Sequence, residues 1–383
     1  MRVLLTALVP SHFTPMVPLS WALRAAGHQV IVVGQSDVAS TAISAGIPAR
    51  QLGVDDNLTR KLSRPGVVRK DHLRSPDAAE WAEAGKRWER RVAGYLEEFL
   101  QVARAWRPDL IITDPVEFGG QLVAAAMGVP VVVHRYGPEQ FSTVVQRRAT
   151  VALRSLAEEI GAHGLPVPDL ILDPTPASMR TAEHDPAAPI RFVPYNGTAR
   201  VEDWTLEPPR HRRVCLCLGM LGSRVLESDA ALPTEFTSVL DLIGDLPDVE
   251  TVFVLPSRFH AALPDLPKTV DVVGETPIDQ ILGSCAAVVH HGGVGTMMTA
   301  LSFGLPQLIL PSDDPLSIAS AELITACGAG RAVAGGAAID LGAVLTAVLD
   351  SADLRDGARG KQEEINQMPE PSAVIPMLVA LTR

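Results

Sequence analysis

The sequence predicts an α/β protein with two Rossmann-like, doubly wound domains that face each other across a cleft. Apolar stretches short enough for buried strands alternate with stretches of helical spacing, a pattern typical of parallel sheets covered by helices. This alternation lapses over residues 194–212 and then begins again. The chain has 383 residues, which is long enough for two hydrophobic cores.

The first half opens with a strand, a helix and a second strand, predicted at residues 2–9, 16–26 and 28–34. Gly27 ends the helix, and such a unit implies parallel pairing with a right-handed crossover. Residues 51–76 are polar, charged and interrupted by prolines, which is typical of a long mobile loop.

Residues 77–106 have the spacing of one long amphipathic helix, with Trp81, Trp88 and Tyr95 on or near its apolar side. A strand ending at Asp114, a helix stopped by Gly128 and another strand follow, predicted at residues 109–113, 118–127 and 129–134. Functional loops of a doubly wound sheet follow the carboxyl ends of its strands. We therefore expect site residues directly after these strands.

The middle of the chain contains the predicted domain boundary. A helix is predicted at residues 150–160 and an extended segment at 166–176, and the proline-rich, polar residues 194–212 indicate a linker. The linker divides the chain into domains at 1–193 and 213–367, with a tail at 368–383 that is helical after Pro371 and is expected to pack back on the first domain. In the second domain, strands are predicted at 213–218, 249–255 and 269–273, and helices at 234–243, 277–284, 317–327 and 341–349.

The clearest local signal lies at residues 286–310, which predict strand, glycine-rich turn, helix, turn and strand. The glycines let backbone N–H groups approach a ligand closely, and the helix that Thr296 opens presents an N-terminus that favours an anion, most often a phosphate. His291 stands at the lip of the turn, where an imidazole can donate to phosphate oxygens. Taken alone, the stretch fits a structural turn as well as it fits an anion site. The glycines are Gly292, Gly293 and Gly295.

Composition and charge exclude several classes of protein. The net charge is −11 with no basic cluster, and only 4% of the residues are aromatic, so no nucleic-acid partner is expected. No apolar run is long enough to span a membrane, and no signal-peptide pattern is present. The four cysteines are scattered in apolar segments, as expected for free thiols in the cytoplasm. The oligomeric state is left open, a homodimer included.

Two nucleotide-binding motifs are missing from the sequence. The first strand is not followed by G-x-G-x-x-G, and no G-x-x-x-x-G-K-[ST] occurs, which speaks against a dinucleotide oxidoreductase and a P-loop nucleotidase. Instead, two glycine-containing turns, at residues 219–223 and 291–296, each follow a strand of the second half. We expect a diphosphate between these turns, with Gly219 and Ser223 as further candidates on the phosphate side.

Longer motifs give the sequence a resemblance to a known family. The first strand is followed by a histidine, and Pro18-Leu19 opens the next helix, as in GT-B natural-product glycosyltransferases of bacteria. The similarity covers essentially the whole chain, and it is closest to enzymes that glycosylate polyketides. The other matching residues are His291-Gly292-Gly293-Val294-Gly295-Thr296, Ala300-Leu301, Gly304-Leu305-Pro306-Gln307, Pro311, Gly328-Ala329-Gly330 and Met368-Pro369-Glu370-Pro371.

The resemblance implies inverting transfer of a deoxysugar from a TDP-sugar, bound by the second domain, to a hydroxyl of a small-molecule aglycone, bound by the first. It implies no metal and no cofactor apart from this nucleotide-sugar cosubstrate. The reaction needs a base for the acceptor proton, stabilisation of the leaving diphosphate and alignment of the two substrates. His12 is placed to act as the base, and Asp114 to hold and stabilise its imidazolium. A solvent-exposed loop histidine and a helix-capping carboxylate are the alternatives.

The other site residues are assigned by substrate, those for the diphosphate and the nucleoside largely on the same resemblance. For the diphosphate they are His291, Gly293, Val294, Gly295 and Thr296, with Gly219 and Ser223. For the nucleoside they are Thr276, Pro277 and Ile278. For the acceptor they are His134, Tyr136, Trp81 and Phe13, although His134 fits a structural role equally well.

One position departs from the family pattern. Members usually carry an Asp-Gln pair that hydrogen-bonds sugar hydroxyls, whereas this sequence has Pro315-Leu316 there. Pro315 has no donor and Leu316 offers only apolar surface. Either the donor is a highly deoxygenated or O-methylated sugar, or Asp313 or Asp314 takes over, or catalysis is impaired. C-glycosylation of an aromatic polyketide, nucleotide-sugar epimerisation and an inactive paralogue that activates a partner transferase remain as alternative functions.

Overall fold

The computed structural model describes residues 1–53, 78–138, 142–180, 186–217, 246, 248–263, 265–311, 315–333 and 340–383, and all statements below concern this part of the chain. It contains two parallel sheets, each covered by helices. The strands of the first sheet are β1 (Arg2–Thr6), β2 (Gln29–Gly34), β3 (Ala49–Gln51), β4 (Leu110–Thr113), β5 (Val131–His134), β6 (Leu170–Asp173) and β7 (Ala188–Pro189). Those of the second are β8 (Arg212–Cys217), β9 (Val249–Val254), β10 (Val270–Val273), β11 (Ala287–His290), β12 (Gln307–Ile309) and β13 (Gly330–Ala332).

Both sheets have the strand order of a doubly wound fold. The first runs β3-β2-β1-β4-β5-β6-β7 and the second β10-β9-β8-β11-β12-β13, so each begins at an inner strand and winds outward in both directions. The predicted fold class is therefore confirmed. In the first sheet β1 lies beside β4, with Thr6 opposite Thr113, so the loops after these two strands leave the sheet next to each other.

The helices pack on both faces of each sheet. Those of the first half are α1 (Pro10–Phe13), α2 (Val17–Ala25), α3 (Ser36–Ser44), α4 (Ala78–Ala93), α5 (Leu96–Trp106), α6 (Phe118–Met127), α7 (Ser142–Ala152) and α8 (Arg154–Glu159). Those that follow are α9 (Asp203–Leu206), α10 (Val294–Ser302), α11 (Pro315–Ala326), α12 (Leu341–Asp350), α13 (Ala352–Gln367) and α14 (Ile375–Leu381). Short 3₁₀ turns at Thr14–Met16, Ala177–Met179, Ser257–Ala262, Ile278–Gln280 and Leu282–Ser284 complete the helical structure.

The single helix predicted at residues 77–106 is wrong, because α4 and α5 are separate helices. Gly94 is a poor helix former, and Tyr95 leaves the helical conformation, with φ −138° and ψ −4°. This break turns the Tyr95 ring into the core, where its hydroxyl donates to the Glu117 carboxylate over 2.8 Å. A tertiary hydrogen bond thus accompanies the interruption that periodicity did not reveal.

Other predicted elements differ in smaller ways. The helix at residues 150–160 is two helices, α7 and α8, and the one at 277–284 is a pair of 3₁₀ turns. Helix α13 was not predicted, because it is largely charged and has few apolar residues. The loop at residues 51–76, apart from 51–53, and the helix at 234–243 lie outside the described residues.

Buried apolar clusters lie on both sides of each sheet. In the first domain, one cluster joins β1 and α2 to the last helix of the chain, through Val374, Ile375 and Leu378. The cluster on the opposite face is formed with α5, α6, α7 and α8. The tail therefore packs on the core of the first domain. Among the described helices, none is both long and apolar enough to cross a membrane.

Candidate active site

His12 lies on α1, the short helix that follows β1. Pro10 at the first helical position suits a helix start, because its ring fixes a helical φ and it has no N–H to satisfy. The His12 side chain is 16% exposed, and its Nδ1 lies 3.1 Å from Oδ2 of Asp114. The structure thus places the two residues predicted as a catalytic pair within hydrogen-bonding distance.

Asp114 is completely buried directly after β4, and backbone donors surround its carboxylate. Oδ2 accepts from Leu8 N over 2.6 Å, and Oδ1 accepts from Val116 N over 2.6 Å and from Glu117 N over 2.9 Å. Burial raises the pKa of Asp114, but the neighbouring His12 ring and these hydrogen bonds outweigh it and hold the pKa below its usual value.

The protonation of the pair follows from this geometry. Asp114 is ionised at neutral pH and can only accept, so the Nδ1 of His12 must be the donor. In a neutral imidazole the other nitrogen, Nε2, then carries the lone pair. The arrangement leaves Nε2 of His12 available as a base, and Asp114 stabilises the imidazolium that results from proton uptake.

Tyr136 and Gly137, which follow β5, link this pair to the second domain. The Tyr136 ring stacks on the His12 ring, with centroids 4.0 Å apart and planes 11° from parallel. A Cβ at Gly137 would lie 2.5 Å from Cγ1 of Val294, the first residue of α10, and Gly137 has a φ of +154° that disfavours any other residue. Two successive residues of one short segment thus contact His12 and the start of α10.

The glycine-rich turn lies between β11 and α10. Gly292 has a φ of +95°, and a Cβ there would lie 2.7 Å from Ser317 Oγ. At Gly293 a Cβ would lie 2.9 Å from Nε2 of His291, which places the imidazole over the turn. The first N–H bonded within α10 is that of Met297, to Gly293 O over 2.9 Å. The earlier N–H groups, from Val294 to Thr296, have no carbonyl within the helix to bind, as at any helix N-terminus.

His290 fixes the shape of this turn from inside the core. Its Nδ1 accepts from Gly292 N over 3.1 Å, so Nε2 carries the proton and donates to Gln307 Oε1 over 2.8 Å. Gln307 Nε2 in turn donates to Met297 O over 3.2 Å. Burial, and then the adjacent His291, lower the pKa of His290 to about 3, so it is neutral at physiological pH. The structure buries His290 completely.

The residues predicted to contact the nucleoside follow β10. Pro277 and Ile278 are buried, whereas Thr276 is partly exposed and lines a groove of about 350 Å³ together with Trp204 and other residues of the interdomain segment. Asn196 of the same segment lies near α10, with its Nδ2 3.4 Å from Thr299 Oγ1. The interdomain segment thus borders both the turn at residues 276–278 and the helix that follows the glycine-rich turn.

The residues predicted to contact the donor sugar are only partly described. Pro315 opens α11, and the Leu316 side chain is 39% exposed. Ser317 Oγ donates to the carbonyl oxygen of His291, so the first turn of α11 lies against the glycine-rich turn. Asp313 and Asp314, like the phosphate candidates Gly219 and Ser223, lie outside the described residues.

Two of the predicted acceptor contacts are core residues. Phe13 is fully buried and packs with β1 and α2, because it faces away from its neighbour His12 on α1. The acceptor role predicted for Phe13 is therefore wrong. His134 is 2% exposed, and its Nδ1 donates a hydrogen bond to Arg135 O over 2.7 Å. Burial lowers the pKa of His134 to about 4. These contacts match the structural alternative for His134.

Trp81, on α4, is partly buried, and a row of aromatic rings leads from it to the helix that follows Asp114. Its ring lies 6.3 Å from that of Trp88, which meets Phe118 edge-on at 5.5 Å. Phe118 opens the helix that follows Asp114. The acceptor role of Trp81 stays a prediction.

Sequence reasoning missed the buried residues that support Asp114. Glu117 caps α6 by accepting from Gly120 N over 3.3 Å, and it receives the Tyr95 hydroxyl. Burial raises the pKa of Glu117. A carboxylate just before an apolar helix is a capping signal and could have indicated this role. Among the described residues, no group of three or more His, Cys, Asp or Glu side chains could hold a metal ion.

Comparisons with known proteins identify the family of the chain. The family model described as "Erythromycin biosynthesis protein CIII-like, N-terminal domain" matches residues 21–219, and its C-terminal counterpart matches residues 237–381. The tylactone mycaminosyltransferase of Streptomyces fradiae is 32% identical to the chain and aligns with 100% of it, over 92% of its own length.

Solved structures of similar proteins cover the whole chain. Spinosyn rhamnosyltransferase SpnG in complex with thymidine diphosphate has a TM-score of 0.83 and 29% identity, over 99% of this chain and 100% of that one. Glycosyltransferase SnogD from Streptomyces nogalater has a TM-score of 0.81 and 31% identity, over 100% and 99% of the two chains. The chain thus belongs to the erythromycin biosynthesis protein CIII-like family and is a glycosyltransferase of the GT-B fold.

Proposed function

We propose that this glycosyltransferase moves a deoxysugar from a TDP-sugar to a hydroxyl group of a polyketide-type aglycone, with inversion at the anomeric carbon. The observation that carries the proposal is the contact of Gly137 with Val294, which places the His12–Asp114 pair beside the N-terminus of α10. A base and an anion site next to each other suit the attack of a hydroxyl on a diphosphate-linked sugar.

The similar proteins support the choice of substrates. SpnG has been solved with thymidine diphosphate and with spinosyn aglycone, and another relative is named for transfer to tylactone. The chain aligns with these proteins over 99–100% of its length, which supports a donor site and an acceptor site in this chain as well. We infer the same classes of donor and acceptor for this protein.

In the proposed reaction, Nε2 of His12 takes the proton of the acceptor hydroxyl while its oxygen attacks the anomeric carbon. The bond from that carbon to the diphosphate oxygen breaks, and TDP leaves with the bonding electrons. Asp114 stabilises the imidazolium formed on His12. His291 and the N–H groups at the start of α10 stabilise the negative charge of the departing diphosphate. Attack opposite the leaving group inverts the anomeric configuration.

Pro315 and Leu316 support a donor sugar with few hydroxyl groups. They occupy the first turn of α11, which Ser317 ties to the glycine-rich turn. Neither side chain can hydrogen-bond a sugar hydroxyl, and unpaired hydroxyls buried against apolar side chains are costly. We therefore propose a 2-deoxy, more highly deoxygenated or O-methylated sugar as the preferred donor.

The test is transfer by the purified protein from a panel of TDP-sugars to polyketide aglycones, followed by mass spectrometry. The proposal predicts a glycosylated aglycone, faster turnover with TDP-2,6-dideoxyhexoses than with TDP-glucose, and an inverted anomeric centre in the NMR spectrum of the product. Retention at that carbon, or an acid-stable carbon-linked product, would contradict it. Turnover of the nucleotide sugar alone, without any transfer, would also overturn it.

A further inference from the structure

Two contacts fix the orientation of the His12 ring. The hydrogen bond to Asp114, over 3.1 Å, holds the Nδ1 edge of the imidazole. The Tyr136 ring lies parallel to that plane at 4.0 Å and covers one face. Rotation of the imidazole about its Cβ–Cγ bond would break the hydrogen bond, and any rotation other than a half turn would also break the stack. Together the two contacts therefore determine where Nε2 points.

The segment that carries Tyr136 is itself held firmly. The backbone N–H of Arg135 donates to Leu172 O over 2.9 Å, which extends the pairing of β5 with β6. The buried Arg135 guanidinium donates from Nη1 to Asp173 Oδ2 over 3.0 Å. A buried arginine is costly unless it is paired, so this ion pair binds the segment to the end of β6. Tyr136 is thus a fixed surface for the imidazole.

The same segment meets the donor side of the cleft one residue later. The hydrogen that Gly137 carries in place of a side chain faces Val294 and Met298 of α10, where a Cβ would lie 2.5 Å from Val294 Cγ1 and 3.4 Å from Met298 Cγ. Val294 supplies one of the first N–H groups of that helix. The absence of a side chain at position 137 therefore sets how closely the two domains approach at the site.

We propose, on the basis of the proposed function, that Tyr136 is a positioning residue and Gly137 a spacer for the transfer reaction. Tyr136 orients Nε2 of His12, and Gly137 fixes its separation from the donor diphosphate at α10. This assignment replaces the acceptor-binding role that the sequence suggested for Tyr136. The reacting oxygen and the anomeric carbon meet in line only if the base and the diphosphate site keep one relative position.

The stack of Tyr136 on His12 can be tested without substrate, by NMR of the histidine side chains in the full-length protein. His12→Ala assigns the His12 signals. Ring current from the stacked tyrosine should shift them upfield in the wild type and in Tyr136→Phe, which keeps the ring, and the shift should vanish in Tyr136→Leu. Unchanged His12 signals in a folded Tyr136→Leu protein would overturn the positioning role.

Turnover distinguishes positioning from acceptor binding. Tyr136→Leu should lower kcat about 10- to 100-fold, since small misplacements of reacting groups have effects of this size, while the Kd for TDP stays within about twofold of wild type. Tyr136→Phe should restore the activity. Equal losses in both variants would contradict the proposal and assign the tyrosine hydroxyl to the acceptor. A wild-type protein that transfers no sugar would contradict the proposed function instead, while the NMR comparison still tests the positioning of His12.

Gly137→Ala tests the spacer, with Gly164→Ala as the matched control. Gly164 has a φ of +135°, but no atom lies within 4 Å of the position that its Cβ would take, so this control measures backbone strain alone. We expect kcat at saturating donor to fall at least about tenfold in Gly137→Ala and to change by less than about twofold in Gly164→Ala. Equal turnover in the two folded variants would show that the contact with Val294 does not matter.

Discussion

Replacing Asp114 by asparagine removes the charge at the centre of the His12 site while keeping its shape. The carboxylate accepts four hydrogen bonds, two on each oxygen: Leu8 N and His12 Nδ1 on one, Val116 N and Glu117 N on the other. An amide has only one accepting oxygen. In either orientation of the new side chain, two donors therefore face an NH₂ group.

The expected loss of stability follows from those two buried donors. Leaving a buried donor unsatisfied costs about 1–3 kcal/mol, and the small adjustments that an asparagine allows favour the lower half of this range, so we expect about 3 kcal/mol in total. For a domain of roughly 200 residues this corresponds to a fall in Tm of roughly 6–12 °C. Asparagine also no longer stabilises the His12 imidazolium, so kcat should fall by at least about 100-fold.

The effect on stability should depend on pH. Folding lowers the pKa of Asp114, so its carboxylate stabilises the folded state above the ordinary aspartate pKa near 4, and this contribution is lost as the pH falls through the lower, folded-state pKa. The difference in Tm between wild type and Asp114→Asn should therefore be largest at about pH 7 and should decrease below about pH 4.

The matched control is Asp109→Asn, made at the opposite end of the same strand. Asp109 is exposed there and accepts one hydrogen bond, from Arg2 N over 2.6 Å. Its replacement should cost less than about 1 kcal/mol. Thermal unfolding of the two variants, followed by tryptophan fluorescence, gives the comparison. A fall in Tm for Asp114→Asn no larger than that for Asp109→Asn would refute the reasoning.

Three further substitutions test other parts of the site. In Gly295→Ala the new methyl group meets open space in the protein, so Tm should not change. The methyl group would crowd the diphosphate, and the affinity for TDP measured by calorimetry should fall about tenfold. Unchanged affinity would place the diphosphate elsewhere. Gln307→Leu removes the acceptor of the buried His290 N–H and should cost about 2–3 kcal/mol in urea unfolding, and an unaltered midpoint would contradict that tautomer. Tyr95→Phe removes the hydroxyl that donates to Glu117 and should lower stability by about 1–2 kcal/mol, whereas a neutral effect would show that this hydrogen bond is dispensable.

The fold was predictable because its strands and helices carry strong periodic signals. The strand-end rule also selected His12 and Asp114, although chain order alone could not show that the first strand lies next to the fourth in the sheet. The division of residues 77–106 was missed because the break at Tyr95 depends on Glu117, a partner distant in the sequence. Periodicity reports which face of a segment is apolar, and it does not report such single contacts.

The finer errors at the site have a similar origin. Phe13 follows His12 in the sequence, but successive residues of a helix point about 100° apart, so one faces the cleft and the other the core. The stack of Tyr136 on His12 and the contact of Gly137 with Val294 depend on how β5 and α10 approach each other across the cleft. No local pattern encodes that approach.

The central claim is that Nε2 of His12 takes the proton of the acceptor hydroxyl. The most direct test measures sugar transfer and TDP affinity together in His12→Ala. We predict that kcat falls about 10²- to 10⁴-fold, as expected for loss of a general base, while TDP still binds within about twofold of its wild-type Kd. Transfer at the wild-type rate by His12→Ala would contradict the claim.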